Sequence, residues 1–492
     1  MRYVIGLVVL CAGLGCSGTL KRWDPPLAVP AIQSDLRRDQ QIDHALSRLT
    51  YGARPGDARR LRSLGLERWI ALQLSPDRID DRRTDSILAS YRRLGTPTNQ
   101  LVALTRDARA ARQQQQRDSS RTMAAPRRAD SAMDSRRALQ LTYAEVASAK
   151  LTRAAVSERQ LYEQMVDFWA NHFSVFSGKG QTRVFIPAYE RDVIRPNAMG
   201  KFRTLLGAVA KSPAMLFYLD NAQSVADSGH RTLGNVRLMI GVGGAGRRAR
   251  GLNENYAREL MELHTLGVDG GYTQLDVIEV ARALTGWSID QRGGAFAFRP
   301  AMHDADEKIV LGQRLQSGRG LEDGEQVLDI LARHPSTARH ITRKLVVRFV
   351  SDSAPPALVD RCSAVFVKSD GDVRETLACV VTSPEFFSQA AYRGKVKTPF
   401  ELVVSAFRAT GATPDHTPRS SQIVARLGQP IWGRQTPDGW PDRAEEWMNA
   451  GAMVNRVNFG LMMASGRVPG VKVGVVDPKV GAMLSTPEFQ RR

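Results

Sequence analysis

Apolar residues recur every three or four positions along most of this chain, and that spacing predicts a mainly α protein. The clearest unit runs from Asn253 to Trp287, NENYARELMELHTLGVDGGYTQLDVIEVARALTGW. Asn253 or Asn255 is placed to cap a first helix, because a short amide side chain accepts from the free first-turn N–H groups. That helix, YARELMELHTLG, carries Leu260, Leu263 and Leu266 and is expected to stop at Gly267. Thr273 with Asp276 forms a capping box opening a second helix, Gln274 to Thr285, whose stripe is Val277, Val280, Ala281 and Leu284. Gly270-Gly271 turns the chain between them, so the unit reads as an αα-hairpin.

The same periodicity fills residues 138–176, with Leu139, Val146, Leu151, Leu161, Met165 and Phe168. It returns after Pro335, after Pro355-Pro356, over residues 370–383, after Lys397-Thr398-Pro399 and over residues 443–464. Between Trp287 and Leu315 the period changes. GAFAFRP and EKIVLGQRL alternate around glycines and predict a small antiparallel β insertion. Residues 105–137, with Gln113 to Gln116 and few large apolar residues, read as a disordered insert or a solvated, mobile helix. GVGGAG, Gly241 to Gly246, matches GxGxxG only formally. RRARGLNEN follows it in place of a helix start, so it reads as a flexible loop leading to the hairpin. No fixed-period repeat is present, which excludes a regular solenoid. The fold class is therefore mainly α, an irregular multi-helix domain over residues 41–467 with a β insertion at 287–315 and a tail at 468–492.

The N-terminus changes where the protein is expected to act. MRYVIGLVVLCAGLGCSGTL is a short apolar run behind one arginine, too short to span a membrane as a mature helix, and reads as a signal peptide over residues 1–15. Gly13-Leu14-Gly15-Cys16 is similar to a bacterial lipobox, although Gly13 stands where leucine is usual. Lipidation of Cys16, followed by a proline-containing tether over residues 16–40, gives an exported outer-membrane lipoprotein. Cleavage as a plain secreted protein is the alternative. Export makes a disulfide between Cys362 and Cys379 chemically available, and two buried thiols are the other reading. A net charge of +19, mostly arginine and spread along the 492 residues, reads as a solvated basic surface of an arginine-rich chain, or as attraction to anionic partners such as envelope polysaccharide or lipid headgroups. No nucleic-acid-binding motif accompanies it, so nucleic acid ranks low as a partner.

Candidate chemistry sits in three separated segments. DFWANHF places Trp169 and His172 on one helix face, with Asn171 between them. The first hairpin helix puts Asn255, Glu259 and Glu262 on one face, with Arg258 able to pair with Glu262 and His264 pointing elsewhere. AMHDADEK supplies His303 and Asp304 in a polar loop. Histidines with carboxylates suit a divalent metal or an acid and a base. Each also has a plainer reading. His172 and Trp169 suit a packed core, Glu259 suits a buried pair with an arginine such as Arg282 or Arg191, and His303-Asp304 suits loop polarity.

RLTYG-x-RPGD near Arg48, FWANHF, the hairpin unit, HPSTARHITRKLVVRFV, TSPEFF, KVKTPFELV and LGQPIWGRQTPDGWPD together carry a resemblance. In that order the chain resembles bacterial domain-of-unknown-function family 1800. The resemblance implies an exported, mostly helical protein. It also implies a gene neighbour from a second secreted family, number 1501, whose fold is similar to sulfatases and alkaline phosphatases. Three functions are then in view: an accessory envelope protein binding an anionic polymer or that sulfatase-like partner, a metal-assisted or acid–base hydrolase of envelope glycans, and a scaffold without a catalytic site.

Overall fold

The computed structural model describes residues 27–118, 126–233, 251–474 and 476–492. The signal segment with Cys16, the first part of the tether and the glycine-rich stretch Gly241 to Gly246 lie outside the described residues. The fold is mainly α. Among the described residues, β structure is confined to three two-stranded antiparallel sheets, and no helix is long and apolar enough to cross a membrane.

Helix α1, Arg38–Leu49, buries Ile42, Leu46 and Leu49. Helices α2, Thr98–Asp118, and α3, Pro126–Val156, pack against each other. Residues 105–118 and 126–137 are thus helical, and Leu101, Val102 and Val146 seat the pair on the core. Helix α4, Gln160–His172, is buried along most of its length through Leu161, Met165, Phe168 and Trp169.

The hairpin unit forms α5, Glu254–Glu262, and α6, Gln274–Ala283. Asn253 is the cap of α5, its side chain accepting from the Tyr256 N–H at 3.2 Å. The Thr273–Asp276 capping box opens α6 as the spacing implied. Helix α5 ends earlier than Gly267, because the ladder widens there. The His264 N–H reaches back five residues to the Glu259 carbonyl at 3.1 Å, and Leu266 does the same to Met261 at 2.7 Å.

Two hairpins follow in the expected region: β1, Trp287–Ile289, with β2, Phe296–Phe298, and β3, Lys308–Val310, with β4, Gln313–Leu315. The third pair, Thr413–Pro414 with Val471–Lys472, has two residues per strand and leaves no period to read. Helices α7, Leu321–Arg333, α8, Pro335–Phe349, α9, Pro356–Lys368, α10, Val373–Val381, and α11, Pro399–Thr410, complete the elements that position the site. A Cys362–Cys379 disulfide ties α9 to α10, with Cα atoms 5.7 Å apart.

Most buried apolar residues form one cluster, and a second forms around α11 from Phe400, Val403, Phe407, Phe459 and Leu484. The segment from residue 468 onward belongs to that second core. The Arg492 N–H donates to the Lys395 carbonyl at 2.8 Å, and the Arg492 side chain is 2 % exposed.

Candidate functional site

Two polar assemblies contain the residues singled out by sequence, and they differ in how far their groups are committed. The first surrounds His303 and Asp304. Thr285, just beyond α6, holds both: its carbonyl meets His303 Nδ1 at 2.8 Å and its hydroxyl accepts from the Asp304 N–H at 2.9 Å. The Asp304 carboxylate receives Arg282 Nε at 2.8 Å and Nη2 at 3.2 Å. Lys308 donates to the Asp304 carbonyl at 2.7 Å and to Asp323 at 2.8 Å. His303 Nε2 stands 3.5 Å from the same Asp323. His303 and Asp304 are fully buried.

His230, Asp304 and Asp306 approach the spacing of a metal-ligand set here. Arg282 already reaches His230 Nδ1 at 3.2 Å, and Arg231 reaches Asp306 at 2.8 Å. A divalent ion would face two guanidinium groups, so the positive charge this cluster needs is supplied by the chain itself. The assembly locks α6 to the hairpin that follows.

The second assembly joins α4, the turn after α5, α8 and the loop over residues 428–442. Trp169 is buried in α4 and donates to the Ala198 carbonyl at 2.9 Å. Asn171 holds the loop with two bonds to Trp440, accepting from its N–H at 2.7 Å and donating to its carbonyl at 2.8 Å. Gly439, at φ +79°, lies so close that a Cβ there would fall on the Asn171 carbonyl oxygen. Gly267, at φ +85°, is required in the same way: its Cβ would stand 2.8 Å from His340 Nδ1 of α8.

Between these supports His172, His264 and His340 come together, with the His172 ring centroid 6.2 Å from each of the others. His172 and His264 are buried. Burial, helped by the nearby Lys344 ammonium, drives His172 well below its usual range and His264 down to about 3. The same causes bring the partly buried His340 to about 4. All three are neutral at pH 7. The plainer reading of His172 holds for its contacts, since it packs on Phe168, Trp169 and Phe173 and is closed to solvent.

Lys344 follows His340 by one helical turn and is partly buried, with no hydrogen bond or ion pair to its ammonium among the described residues. Burial brings it down to about 8, against the pull of Asp442 and Asp438. Glu259 is likewise partly buried and has no donor or cation within bonding distance. Its pKa is raised, first by burial, then by Glu262 and Asp438, with Arg258 opposing. Both groups feel the charge of Asp438. Tyr272 donates to Glu262 at 3.1 Å, and Arg434 pairs with Asp438 at 2.8 Å. Behind the loop, Arg348 of α8 binds Asp442, Asp167 and Glu401 at 2.9, 3.2 and 3.1 Å and fixes the loop to α4 and α11.

The structure therefore brings His172, His264, Glu259 and Glu262 to one region and leaves His303 and Asp304 in another. The two assemblies share no hydrogen bond, ion pair or ring contact among the described residues. Glu259 does not pair with Arg282 or Arg191. Arg282 is spent on Glu279 and Asp304, and Arg191 on Asp192 and the Leu94 carbonyl. Glu259 is only partly buried, which relieves the need for such a pair. Arg258 turns to Gln274 at 2.8 Å rather than to Glu262, and Asn255 is exposed and bonds nothing.

The sequence pattern described as "Protein of unknown function (DUF1800)" matches residues 44–491. The chain belongs to that family. No curated protein and no solved structure matches it. The DUF1800 match includes the segments that build the second assembly, and it runs on through the residues set apart by sequence as a tail. Sequence reasoning missed Lys344, His340, Asp438 and Asp442. A usable signal existed for two of these: His340 and Lys344 stand four apart in HPSTARHITRKLVVRFV and so share a helix face. For Asp438 and Asp442 the loop has no period, and long-range contacts, Asn171 with Gly439 and Trp440 and Arg348 with Asp442, bring them in.

Proposed function

We propose that this DUF1800 protein is an exported envelope protein, anchored through a lipid on Cys16, with an accessory binding role toward anionic envelope polysaccharide. The observation that carries this reading is the pair of uncommitted charged groups, Lys344 and Glu259, in a chain whose other buried ions are mostly matched. Polar groups left unmatched cost free energy unless a ligand or water completes them. Tyr218 lies within the field of Glu259 and Tyr272 bonds the neighbouring Glu262, and such rings are surfaces of the kind against which a sugar packs. The net charge of +19 supplies long-range attraction for an anionic polymer. The sulfatase-like neighbour fits the same setting as a partner that works on the bound polymer.

A second reading has its own support. A carboxyl pushed up and an amine pushed down are the protonation states that an acid–base hydrolase uses at neutral pH. Titration calorimetry with isolated envelope polysaccharide, on the mature protein and on Lys344→Met, tests the binding role. Heat that saturates in the wild type and is lost in Lys344→Met supports it. Equal heats in both refute it and favour a scaffold without a site. Release of reducing ends that disappears in Glu259→Gln moves the assignment to the hydrolase.

A further inference from the structure

A cavity of about 190 Å³ lies where α1, α11, the segment Arg393 to Lys397 and the C-terminal segment meet. Its lining is unusual in what it lacks. Lys397 is 7 % exposed, and among the described residues its ammonium has no hydrogen bond or ion pair; the Phe489 ring faces it at 3.8 Å. His44 is 1 % exposed, and neither ring nitrogen makes a well-formed hydrogen bond. Arg492, also in the lining, leaves Nε and Nη1 without acceptors while its Nη2 binds the Arg348 carbonyl at 3.0 Å and Glu401 at 3.1 Å.

The nearest buried carboxylate, Glu401, is shared between Arg348 and Arg492, its Oε1 3.1 Å from each. Asp43 is held by Arg393 and Tyr392, both at 3.1 Å. Glu488 is exposed and outside ion-pair distance of Lys397. Buried donors are ordinarily satisfied, and a local excess of donors without acceptors marks a place for a negatively charged acceptor.

We propose that this cavity is a binding site for a small oxyanion, a carboxylate or phosphate group, held by Lys397, Arg492 and His44. The cavity has room for such a group, and Lys397, Arg492 and His44 all stand in its lining. Burial first, and then the neighbouring arginines, hold Lys397 down to about 7 with only Glu401 opposing, which is the state expected of an ammonium lacking its counter-ion. An anion seated there returns that lysine to its charged form. The proposal does not depend on the polysaccharide reading.

The test uses the full mature chain. Its thermal midpoint is followed against inorganic phosphate and, in a parallel arm, acetate, each compared with chloride at matched ionic strength. A saturable rise with either anion supports the site, and the tighter of the two identifies the preferred group. Lys397→Met, which replaces a buried amine by an apolar side chain of similar length, weakens that apparent affinity by about tenfold or more. Arg491→Ala, at an exposed residue of the lining, serves as the variant that folds regardless and weakens it by a smaller factor. No saturable rise over chloride with either anion, or equal affinity in the wild type and Lys397→Met, overturns the proposal.

Discussion

Mild acid should destabilise this protein, and the histidine cluster sets the size of the effect. His44 and His172 are held well below their usual range, His264 is brought to about 3 and His340 to about 4, in each case chiefly by burial. An unfolded histidine titrates near pH ~6.5, so below that pH the unfolded chain takes up protons that the folded chain refuses. The sign follows: stability is full above pH ~6.5 and falls as the pH drops toward the folded values. At pH ~5.5 each such histidine costs about 1.4 kcal/mol, and the four together about 5 kcal/mol. Glu259 works the other way, since its raised carboxyl takes a proton earlier when folded, and offsets part of this. Asp442 is held low by Arg348, Lys395 and Arg492 against the effect of burial, so its contribution is lost only at more acid pH. With an unfolding entropy of about 2.1 cal/mol/K per residue over 492 residues, 1 kcal/mol moves the midpoint by about 1 °C. Differential scanning calorimetry between pH 7.5 and 5.5 should therefore record a fall of about 5 °C. His172→Phe, which keeps the aromatic packing and cannot charge, should lose about a quarter of that sensitivity. A flat midpoint over this range, or the same slope in the variant, would refute the assignment of these histidines as buried and neutral.

Three further outcomes are expected. Arg282→Met strands the fully buried Asp304 and should lower the midpoint by an amount equivalent to about 3–5 kcal/mol, while loss of the exposed Arg62–Asp39 pair should leave it unchanged; equal effects would contradict the burial ranking. Reducing Cys362–Cys379, which closes a loop with a sequence separation of 17, should cost about 3 kcal/mol, read as a lower midpoint in dithiothreitol and no change in a Cys362→Ser variant. Cys16→Ala should shift the protein from the membrane fraction to the soluble fraction, and full retention in the membrane would remove the lipid anchor from the account.

The helical architecture was legible because it rests on local spacing. The capping box at Thr273 and Asp276 and the stripe of Val277, Val280 and Ala281 each carry their own physical reason within a few residues. The end of α5 was not legible, because a widened ladder at His264 and Leu266 leaves no mark in the pattern. The site was half legible for the same reason. His172, Glu259 and Glu262 stand out as polar residues on otherwise apolar helices. Yet which groups meet depends on contacts across long stretches of chain: Asn171 with Trp440, and Gly267 with His340. His303 looked like a partner for His172 by residue type alone, and the Arg282–Asp304 pair shows it serving the neighbouring hairpin.

The central claim is that Lys344 is a partly buried, uncommitted amine that takes part in ligand binding. Reductive methylation with mass-spectrometric readout, run at pH ~7.5 with and without envelope polysaccharide, tests this directly. An amine brought to about 8 holds on the order of a hundred times more free base at that pH than an ordinary lysine. The expected result is early modification of Lys344, ahead of an exposed lysine such as Lys472, and its protection when polysaccharide is added. Lys344 that stays unmodified, or that reacts equally with and without polysaccharide, would contradict it.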